Sequence, residues 1–195
     1  MDDAEIKSWK RAAREMLIAA RLEIPAAVQA DAAVTIAAGL DKAFAQLGIT
    51  DLSGLTVSAY WPFRGEPDLR DWLASVCTRG GKAALPVIEG KAMPLSFRFW
   101  QPDAEMEEGR WNIPIPAASE SATPDIVIAP LVGFDREGYR LGYGGGFYDR
   151  TLAALPQGTR FIGVGYAESE LPTTHPQDHD IKTDLIVTER EIIAA

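Results

Sequence analysis

The sequence predicts an α/β fold: a single three-layer domain over residues 1–195, in which helices flank a mostly parallel central sheet. After residue 48, short apolar runs typical of strands alternate with segments of helical periodicity, and this alternation is typical of parallel sheets. A nearly continuous apolar run, "DIVIAPLVGF" at 125–134, is typical of a central strand buried on both faces. The 195 residues, 47% of them hydrophobic, suffice for one domain with a sizeable core.

The first 48 residues are predicted to form two helices, at 3–48, that pack on this α/β core. In the first helix, at about 3–21, one face carries apolar residues at helical spacing: Ile6, Trp9, Ala13, Met16, Leu17 and Ala20. The basic residues lie on the other face: Lys7, Lys10, Arg11 and Arg14. Pro25 interrupts the pattern, and a second, alanine-rich helix extends to about Gly48.

The next segments have the periodicity of strands and one helix. The run at 55–63 predicts a strand that ends in a loop, and the segment at 68–81 predicts a helix that stops at two glycines. A strand is predicted at 82–88. After a turn at Glu89–Gly90, the segment at 91–100 predicts another strand.

The second half of the chain begins with an irregular segment. Residues 101–123 are rich in polar residues and proline and are predicted to be a loop. The central strand leads into a glycine-rich stretch and a helix at about 147–155. Two more strands are predicted at 160–167 and 183–189. Because ligands bind beyond the carboxyl ends of parallel strands, the glycine-rich stretch lies where a ligand is expected.

Net charge and cysteine content narrow the class of protein. The net charge of −9 argues against a general binder of nucleic acids or anionic membranes, although a local basic pocket is compatible with it. Cys77 stands alone, so no intramolecular disulfide forms, and its apolar neighbours indicate a buried side chain. No run approaches the roughly 18 apolar residues of a membrane span, and the acidic N-terminus is unlike a secretory signal. We therefore expect a cytoplasmic enzyme or binding protein.

The stretch "RLGYGGGFYDR" at 140–150 contains four glycines within five residues. Consecutive glycines reach positive φ and lack a Cβ, so their N–H groups can surround an anion. A helix that starts at Phe147 adds free N–H groups and a positive dipole end. Arg140 and Arg150 supply positive charge, and Asp149 is suited to a divalent cation that bridges phosphates. The stretch predicts a seat for a polyphosphate with Mg²⁺, with a tight structural turn as the alternative.

Better-known nucleotide motifs do not fit the sequence. The dinucleotide pattern G-x-G-x-x-G fails because Phe147 stands where its third glycine belongs. The Walker pattern fails because both Gly-Lys pairs, at 81–82 and 90–91, are followed by alanine. The sequence also lacks a G-x-S-x-G nucleophile elbow. An NAD-dependent oxidoreductase is therefore disfavoured.

The longer string "GFDREGYRLGYGGGFYDR" closely resembles the signature of the 5-formyltetrahydrofolate cyclo-ligase family. Four further segments resemble the family's in the same order along the chain: "KRAAR", "YWPFRGEPDLR", "WNIPIP" and "HDIKTDLIVTE". The resemblance implies a Rossmann-like fold of the kind found in CoA transferases. It also implies a reaction: ATP phosphorylates the formyl oxygen of 5-formyltetrahydrofolate, N10 attacks the activated carbon, and loss of phosphate leaves 5,10-methenyltetrahydrofolate. ADP is the other product, and Mg²⁺ is required.

The resemblance assigns residues to the ATP phosphates. The phosphate-binding candidates combine the basic helix face with the glycine-rich stretch: Lys10, Arg11, Arg14, Arg140, Gly142, Tyr143, Gly144, Gly145, Gly146, Phe147 and Tyr148. The candidate catalytic residues are Lys10, Arg14, Glu66, Arg140 and Tyr148. Some members of the family carry basic residues where this chain has Tyr143 and Gly145. A solvated basic helix face is the alternative for the lysine and arginines.

The folate and metal ends of the site are predicted in the same way. The folate candidates are Trp61, Phe63, Glu66, Trp111 and the segment from Tyr143 to Phe147. Glu66 is expected to accept hydrogen bonds from the pterin or to orient the formyl oxygen. Asp149 and Asp180 are the candidate metal ligands, with Asp184 as the neighbour of the second.

Purely structural roles remain as alternatives for several of these side chains. The aromatic rings are equally typical of a core, and Tyr60 is expected to be a core residue because it faces away from Trp61. His175 and His179 are four residues apart, but Pro172 and Pro176 argue against the regular helix that a two-histidine metal site would need. A non-catalytic binder of reduced folate or nucleotide is the alternative function. The oligomeric state is left open, and a monomer is compatible with the sequence.

Overall fold

The computed structural model describes residues 1–117 and 120–194. Its helices are α1 (Asp3–Leu22), α2 (Ala26–Gln46), α3 (Arg70–Thr78) and α4 (Phe147–Ala154). Its strands are β1 (Thr56–Ser58), β2 (Lys82–Val87), β3 (Ser96–Trp100), β4 (Met106–Glu108), β5 (Pro114–Pro116), β6 (Ile126–Pro130), β7 (Gly133–Phe134), β8 (Arg140–Leu141), β9 (Arg160–Val164), β10 (Leu185–Val187) and β11 (Ile192–Ala194).

In the described ranges, seven strands form one sheet in the order β11–β10–β9–β6–β1–β2–β3. The five inner strands pair in parallel, and the edge strands β3 and β11 pair antiparallel with their neighbours. The winding reverses at β1, because β2 is added on one side of it and β6 on the other. Such a switch point leaves a crevice beyond the carboxyl ends of the two adjacent strands, here β1 and β6.

Helices cover both faces of the sheet, and the central strand β6 shows this directly. Successive residues of a strand point to opposite faces. Ile126 and Ile128 are buried in a core cluster with side chains of α2 and α3. Val127 and Ala129 lie in a second cluster, against which side chains of α4 pack. This arrangement confirms the predicted three-layer α/β fold with a mostly parallel sheet.

Helix α1 begins at a capping box and ends before a proline. The Asp2 carboxylate accepts the Glu5 N–H at 2.8 Å, and the Glu5 carboxylate accepts the Asp2 N–H at 2.8 Å, so two free donors of the first turn are satisfied. The helix ends at Leu22, three residues before Pro25. The predicted helix at 3–21 is thereby confirmed.

The apolar face of α1 is narrower than the sequence predicts. Trp9, Ala13 and Leu17 pack with Leu141 of β8 and with Leu171. Met16 is 60% exposed and Ala20 is also exposed, so neither belongs to the packed face. The reason is that α1 is rotated about its axis, so that part of its basic face also points toward the protein. The apolar face is therefore turned partly toward solvent.

Several predicted strands are longer than the observed ones. The strand predicted at 55–63 ends at Ser58, because the chain then leaves the sheet and lines a cavity described below. The strand predicted at 91–100 begins only at Ser96, after Pro94. The run at 125–134 divides into β6 and β7, and β7 pairs with β8 in a separate hairpin.

The prediction of a loop at 101–123 is wrong in part. Strands β4 and β5 pair antiparallel across a short turn at Arg110–Asn112. Their residues, "MEE" and "PIP", have little β propensity, so pairing between segments rather than local preference makes these strands. Residues 118 and 119 of the predicted loop lie outside the described residues. The edge strand β11 was not predicted, since it is a three-residue run near the chain end.

None of the helices in the described part of the chain has both the length and the apolar character that crossing a membrane requires.

The packing of α2 generates a stability prediction. The Phe44 ring is 1% exposed and lies edge-on to Trp72 at 5.6 Å between ring centroids. We expect Phe44→Ala to lower the free energy of unfolding by about 3–5 kcal/mol, because it removes buried ring surface and leaves a cavity. Urea unfolding measures this change. Val34→Ala is the matched control, since Val34 is 72% exposed on the same helix, and it should change stability by less than about 0.5 kcal/mol. Equal losses in the two variants would contradict this packing.

Candidate functional site

A cavity of about 500 Å³ opens at the switch point of the sheet. Tyr60 and Trp61 reach it just after β1, Pro86 from the end of β2, and Pro130 from the end of β6. Further walls come from helix α1, from the segment at 110–115 and from the residues at 142–146, here called the glycine bend. The cavity therefore lies where a ligand of a parallel sheet is expected.

The glycine bend needs glycine at two positions for two separate reasons. Gly144 has a φ of +87° and Gly146, the residue before α4, has a φ of +62°. Residues with a Cβ are strained in this left-handed region. A Cβ at Gly144 would also lie 3.3 Å from the Arg14 guanidinium carbon, and one at Gly146 would lie 2.9 Å from Arg150 Nη1. The bend thus combines a turn with close approach of arginine side chains.

The basic face of α1 meets the glycine bend directly. Arg14 Nε donates a hydrogen bond to the Gly142 carbonyl at 2.6 Å. Burial lowers the pKa of the Arg14 guanidinium, and the nearby Asp180 charge opposes this shift. Lys10, one turn earlier, also lines the cavity. Arg11 does not reach it and is exposed, because it lies about 100° around the helix from Lys10.

Arg140 is paired with a predicted metal ligand. Its Nη2 lies 2.8 Å from Asp149 Oδ1, and its side chain is only 5% exposed. Arg140 Nη1 donates to the Ile181 carbonyl at 3.0 Å, and the Asp149 carboxylate accepts the Ile181 N–H at 3.1 Å. This pair therefore also fixes the loop that follows Asp180.

Asp180, the other predicted metal ligand, is paired with Lys10. Lys10 Nζ lies 2.9 Å from Asp180 Oδ2, and the Gln177 N–H donates to the same oxygen at 2.9 Å. Burial opposes ionisation of Asp180, but these donors outweigh it and hold its pKa below the ordinary value. Asp184 lies outside the cavity lining, where it accepts the Phe161 N–H at 2.6 Å.

The structure brings both predicted metal ligands, Asp149 and Asp180, to the cavity wall. Over residues 1–117 and 120–194, no group of three or more histidine, cysteine, aspartate or glutamate side chains is arranged to hold a metal ion. Two carboxylates are nevertheless a sufficient protein ligand set for Mg²⁺, because proteins often bind this ion through one or two carboxylates together with substrate phosphates. The donor set is therefore chemically suited to Mg²⁺ bound with a nucleotide.

Aromatic rings wall the other end of the cavity. Trp61, Phe63, Trp111 and Phe147 all line it. Trp111 has a φ of 58° and is 50% exposed, with its ring edge-on to Phe147 at 6.1 Å between centroids. A left-handed conformation costs about 1–2 kcal/mol for a residue with a Cβ, so the chain holds this ring in place at an energetic cost. The rings are suited to a flat aromatic ligand.

Glu66 is a buried carboxylate at this aromatic end. It is 5% exposed, and its Oε2 accepts the Phe63 N–H at 2.9 Å. Its Oε1 accepts the Tyr143 hydroxyl proton at 2.7 Å. Burial raises the pKa of Glu66 to about 7, against the Tyr143 hydrogen bond, the Arg21 charge and the Phe63 N–H.

Arg21 contacts the site and was missed by the sequence analysis. It is 6% exposed. Its Nε donates to the Arg64 carbonyl at 2.9 Å, its Nη1 donates to the Leu131 carbonyl at 3.1 Å, and its Nη2 donates to the Tyr143 hydroxyl. A signal existed in the sequence, since Lys7, Arg14 and Arg21 recur every seven residues and so share one side of α1.

Tyr60, Tyr148 and Arg150 lie near the bend, but they differ in whether they face the cavity. Tyr148 lines the cavity, and burial raises its pKa. Tyr60 is a buried core residue as predicted, and its hydroxyl donates to the Pro67 carbonyl at 2.9 Å, but its ring also reaches the cavity. Arg150 lies outside the lining and donates to the Gly145 carbonyl from behind the bend. Arg150 therefore supports the bend rather than facing a ligand.

The charge of the cavity differs from that of the whole chain. Its lining contains five cationic side chains and four acidic ones. The cationic ones are Lys7, Lys10, Arg14, Arg110 and Arg140, and the acidic ones are Asp3, Glu66, Asp149 and Asp180. A chain with a net charge of −9 thus has a site in which cations slightly exceed anions, as binding of an anionic ligand requires.

Comparison with known proteins identifies relatives along most of the chain. The model of the 5-formyltetrahydrofolate cyclo-ligase family matches residues 6–189. The 5-formyltetrahydrofolate cyclo-ligase of Escherichia coli strain K12 is 34% identical over 145 residues, which are 70% of this chain and 79% of that protein. The protein of the same name from Mycolicibacterium smegmatis is 31% identical over 152 residues, covering 74% and 78% of the two chains. The NMR structure of the 5,10-methenyltetrahydrofolate synthetase of Aquifex aeolicus superimposes with a TM-score of 0.79 at 26% identity, covering 95% of this chain and 92% of that one.

The buried Glu66 carboxyl generates a prediction about stability and pH. Its pKa is about 7 in the folded protein, whereas a glutamate in the unfolded chain has the ordinary value of 4.5. Between these values the folded protein keeps a proton that the unfolded chain has lost, so stability falls as pH rises. We expect the free energy of unfolding to fall by about 3 kcal/mol as pH rises between these two pKa values, because Glu66 ionises less readily in the folded protein. Glu66→Gln should lack this part of the pH dependence.

Urea unfolding at a series of pH values measures this dependence in both proteins. Glu15→Gln, on the exposed side of α1, is the control and should keep the wild-type slope. A Glu66→Gln variant with an unchanged slope would show that Glu66 ionises as freely in the folded protein as in the unfolded chain.

Proposed function

This chain belongs to the 5-formyltetrahydrofolate cyclo-ligase family, and we propose that it catalyses the ATP- and Mg²⁺-dependent cyclisation of 5-formyltetrahydrofolate to 5,10-methenyltetrahydrofolate. ADP and phosphate are the other products. The observation that carries the proposal is the 2.6 Å hydrogen bond from Arg14 to the Gly142 carbonyl, which joins the basic face of α1 and the glycine bend in one cavity. The proposed phosphate-binding residues and the aromatic residues with Glu66 then line the same cavity of about 500 Å³.

The phosphate end consists of donors that are fixed before a ligand arrives. The N–H groups at the start of α4 are free of intrahelical partners and carry the positive end of the helix dipole. Arg14 is held by the Gly142 carbonyl and Arg140 by the Ile181 carbonyl. Donors fixed in this way stabilise charge that moves during phosphoryl transfer without reorganising, and such positioning is most of what a protein supplies to this reaction.

The ion pairs of the cavity suggest how ATP and its cation enter. Lys10 pairs with Asp180, and Arg140 pairs with Asp149. A triphosphate competes with the two carboxylates for the two cationic side chains, and each carboxylate released in this way is free to hold Mg²⁺. Asp149 and Asp180 would hold Mg²⁺, which would neutralise part of the phosphate charge during the transfer. By the same exchange, the nucleotide and the cation would bind together better than either alone.

The folate end orients the other reactant. Trp61, Phe63 and Trp111 are suited to enclose the flat pterin ring. Glu66 has acceptor positions left after its bonds to Phe63 and Tyr143, because a carboxylate offers about four. A pterin N–H that donates to Glu66 would direct the formyl oxygen toward the phosphates, and such orientation lowers the barrier by removing the entropy of encounter.

The proposed reaction forms and breaks bonds in two steps. The formyl oxygen attacks the γ-phosphorus, and the bond from that phosphorus to the β–γ bridging oxygen breaks to release ADP. N10 then attacks the formyl carbon, which closes the ring, and the N10–H bond breaks. The bond from that carbon to the phosphorylated oxygen also breaks, and the oxygen leaves as phosphate, which carries away the N10 proton. In this scheme Lys10, Arg14 and Arg140 stabilise the phosphates, Glu66 positions the folate, and Tyr148 bounds the junction between the two reactants.

The proposed activity is tested by turnover of the purified protein with 5-formyltetrahydrofolate, ATP and Mg²⁺. We expect the methenyl chromophore to appear, and we expect removal of ATP or chelation of Mg²⁺ with EDTA to abolish it. A folded protein that gives no chromophore would contradict the proposal. If 5-formyltetrahydrofolate or ATP still raised the thermal unfolding midpoint of that protein, a non-catalytic binder of the same ligands would be favoured instead.

The role proposed for Lys10 gives a sharper prediction. Lys10→Met removes a charge-assisted contact to phosphate, and such contacts contribute about 1.5–3 kcal/mol. We therefore expect kcat/KM for ATP to fall roughly tenfold to a hundredfold, while the KM for the folate changes little. Lys42→Met makes the same chemical change at an exposed position of α2 and should keep wild-type kinetics. An unchanged KM and kcat for ATP in Lys10→Met would reject the phosphate-binding role.

A further inference from the structure

A buried chain of hydrogen bonds runs from α1 to the folate end of the cavity. Arg21 Nη2 donates to the Tyr143 hydroxyl, and that hydroxyl donates to Glu66 Oε1 at 2.7 Å. Arg21 and Glu66 are 6% and 5% exposed. The proposed reaction uses Glu66 but gives no role to Arg21. Burying a guanidinium is costly unless all of it is hydrogen-bonded, so the position of Arg21 needs an explanation.

The direction of this chain is fixed by its chemistry. A guanidinium has only donors, so the Tyr143 oxygen must accept from Arg21. The hydroxyl has one proton, which is therefore left for Glu66. Glu66 also accepts the Phe63 N–H at 2.9 Å. Both carboxylate oxygens are thus held as acceptors, and the lone pairs that remain can only receive donors from the cavity.

Arg21 itself is held in place independently of Tyr143. Its Nε and Nη1 donate to the carbonyls of Arg64 and Leu131, at 2.9 and 3.1 Å. Arg64 lies in the same turn as Glu66, and Leu131 directly follows β6. The guanidinium is therefore tied to the ends of two elements that also form the cavity, so its position relative to Glu66 is set by the fold.

We infer that Arg21 is a positioning residue for the folate end of the site. Acting through Tyr143, it orients Glu66 and favours its ionised form, and that form selects a ligand edge that presents N–H donors. This inference rests on the proposed function, in which that edge belongs to the pterin. A carbonyl edge in the same position would face a carboxylate with no proton to donate.

Among the groups that surround Glu66, Arg21 supplies the positive charge that favours ionisation of Glu66. The ionisable side chains with which Glu66 interacts electrostatically include Arg21 of α1 and four phenols from other elements. The phenols are Tyr60, Tyr143, Tyr148 and Tyr166. Burial raises the pKa of each phenol, so all four stay neutral near pH 7. Arg21 supplies the positive charge, and Glu66 is the member of this set that titrates near neutrality.

The inference is tested by two measurements on the full chain, both made from about pH 5 to about pH 9. The first is the titration of Glu66, followed by NMR of protein labelled with ¹³C at the glutamate carboxyl and assigned with Glu66→Gln. The second is the affinity for 5-formyltetrahydrofolate in the absence of ATP, followed by calorimetry. The variants are Arg21→Met and Tyr143→Phe. Tyr139→Phe, which makes the same change outside the cavity lining, is the matched control.

In the wild type we expect a Glu66 midpoint near pH 7 and a folate affinity that is lost as pH falls through it. Loss of the nearby charge or of the hydroxyl that transmits it should raise the midpoint by about one pH unit in both variants. At pH 7 this shift lowers the ionised fraction, and with it the folate affinity, roughly fivefold. Tyr139→Phe should behave as the wild type.

Each alternative result has a definite meaning. A wild-type midpoint retained in Tyr143→Phe would overturn the inference, and this variant decides the question if Arg21→Met fails to fold. Wild-type protein that binds no folate at any pH would contradict the proposed function. The NMR midpoints would still report whether Arg21 acts on Glu66, so the two failures are distinguishable.

Discussion

The hydrogen bond from the Arg14 guanidinium to the Gly142 carbonyl joins parts of the chain that are 128 residues apart. It places a helix from the start of the chain against a bend that follows the central strand, and the cavity exists because these two walls face each other. The bend accepts this neighbour because Gly144 offers no Cβ to the guanidinium. Fold and site therefore meet at one contact: the parallel sheet provides the crevice, and α1 closes it.

The charges of the cavity are arranged as pairs rather than as a single basic patch. Lys10 with Asp180 and Arg140 with Asp149 are both largely shielded from solvent, and each partner lowers the cost of burying the other. In the proposed function, this arrangement would keep cations ready for phosphate without an exposed basic surface that would attract unrelated anions. The carboxylates that pair with these cations are also those suited to a divalent cation.

The sequence predicts those features that depend on local pattern. The alternation of strand and helix, the doubly buried β6 and the glycine bend follow from periodicity and from residues with special backbone freedom, and the structure confirms them. The early end of β1 and the pairing of β4 with β5 could not be predicted, since both depend on contacts between distant segments. Arg11 and Arg14 lie on the same predicted basic face, where Arg11 was the weaker candidate, and the packing of α1 brings Arg14 but not Arg11 to the cavity. Arg21 was missed because its partner Tyr143 is 122 residues away.

The bond between Arg21 and Tyr143 has an evolutionary consequence. A buried guanidinium is tolerated at position 21 only while a hydroxyl at position 143 and two carbonyls accept its protons. A lineage that placed a basic residue at 143 would bring two positive charges together in the interior, and it would gain by replacing the arginine at 21 with an apolar side chain. Across homologues these two positions should therefore covary, with arginine and tyrosine inherited or lost as a unit.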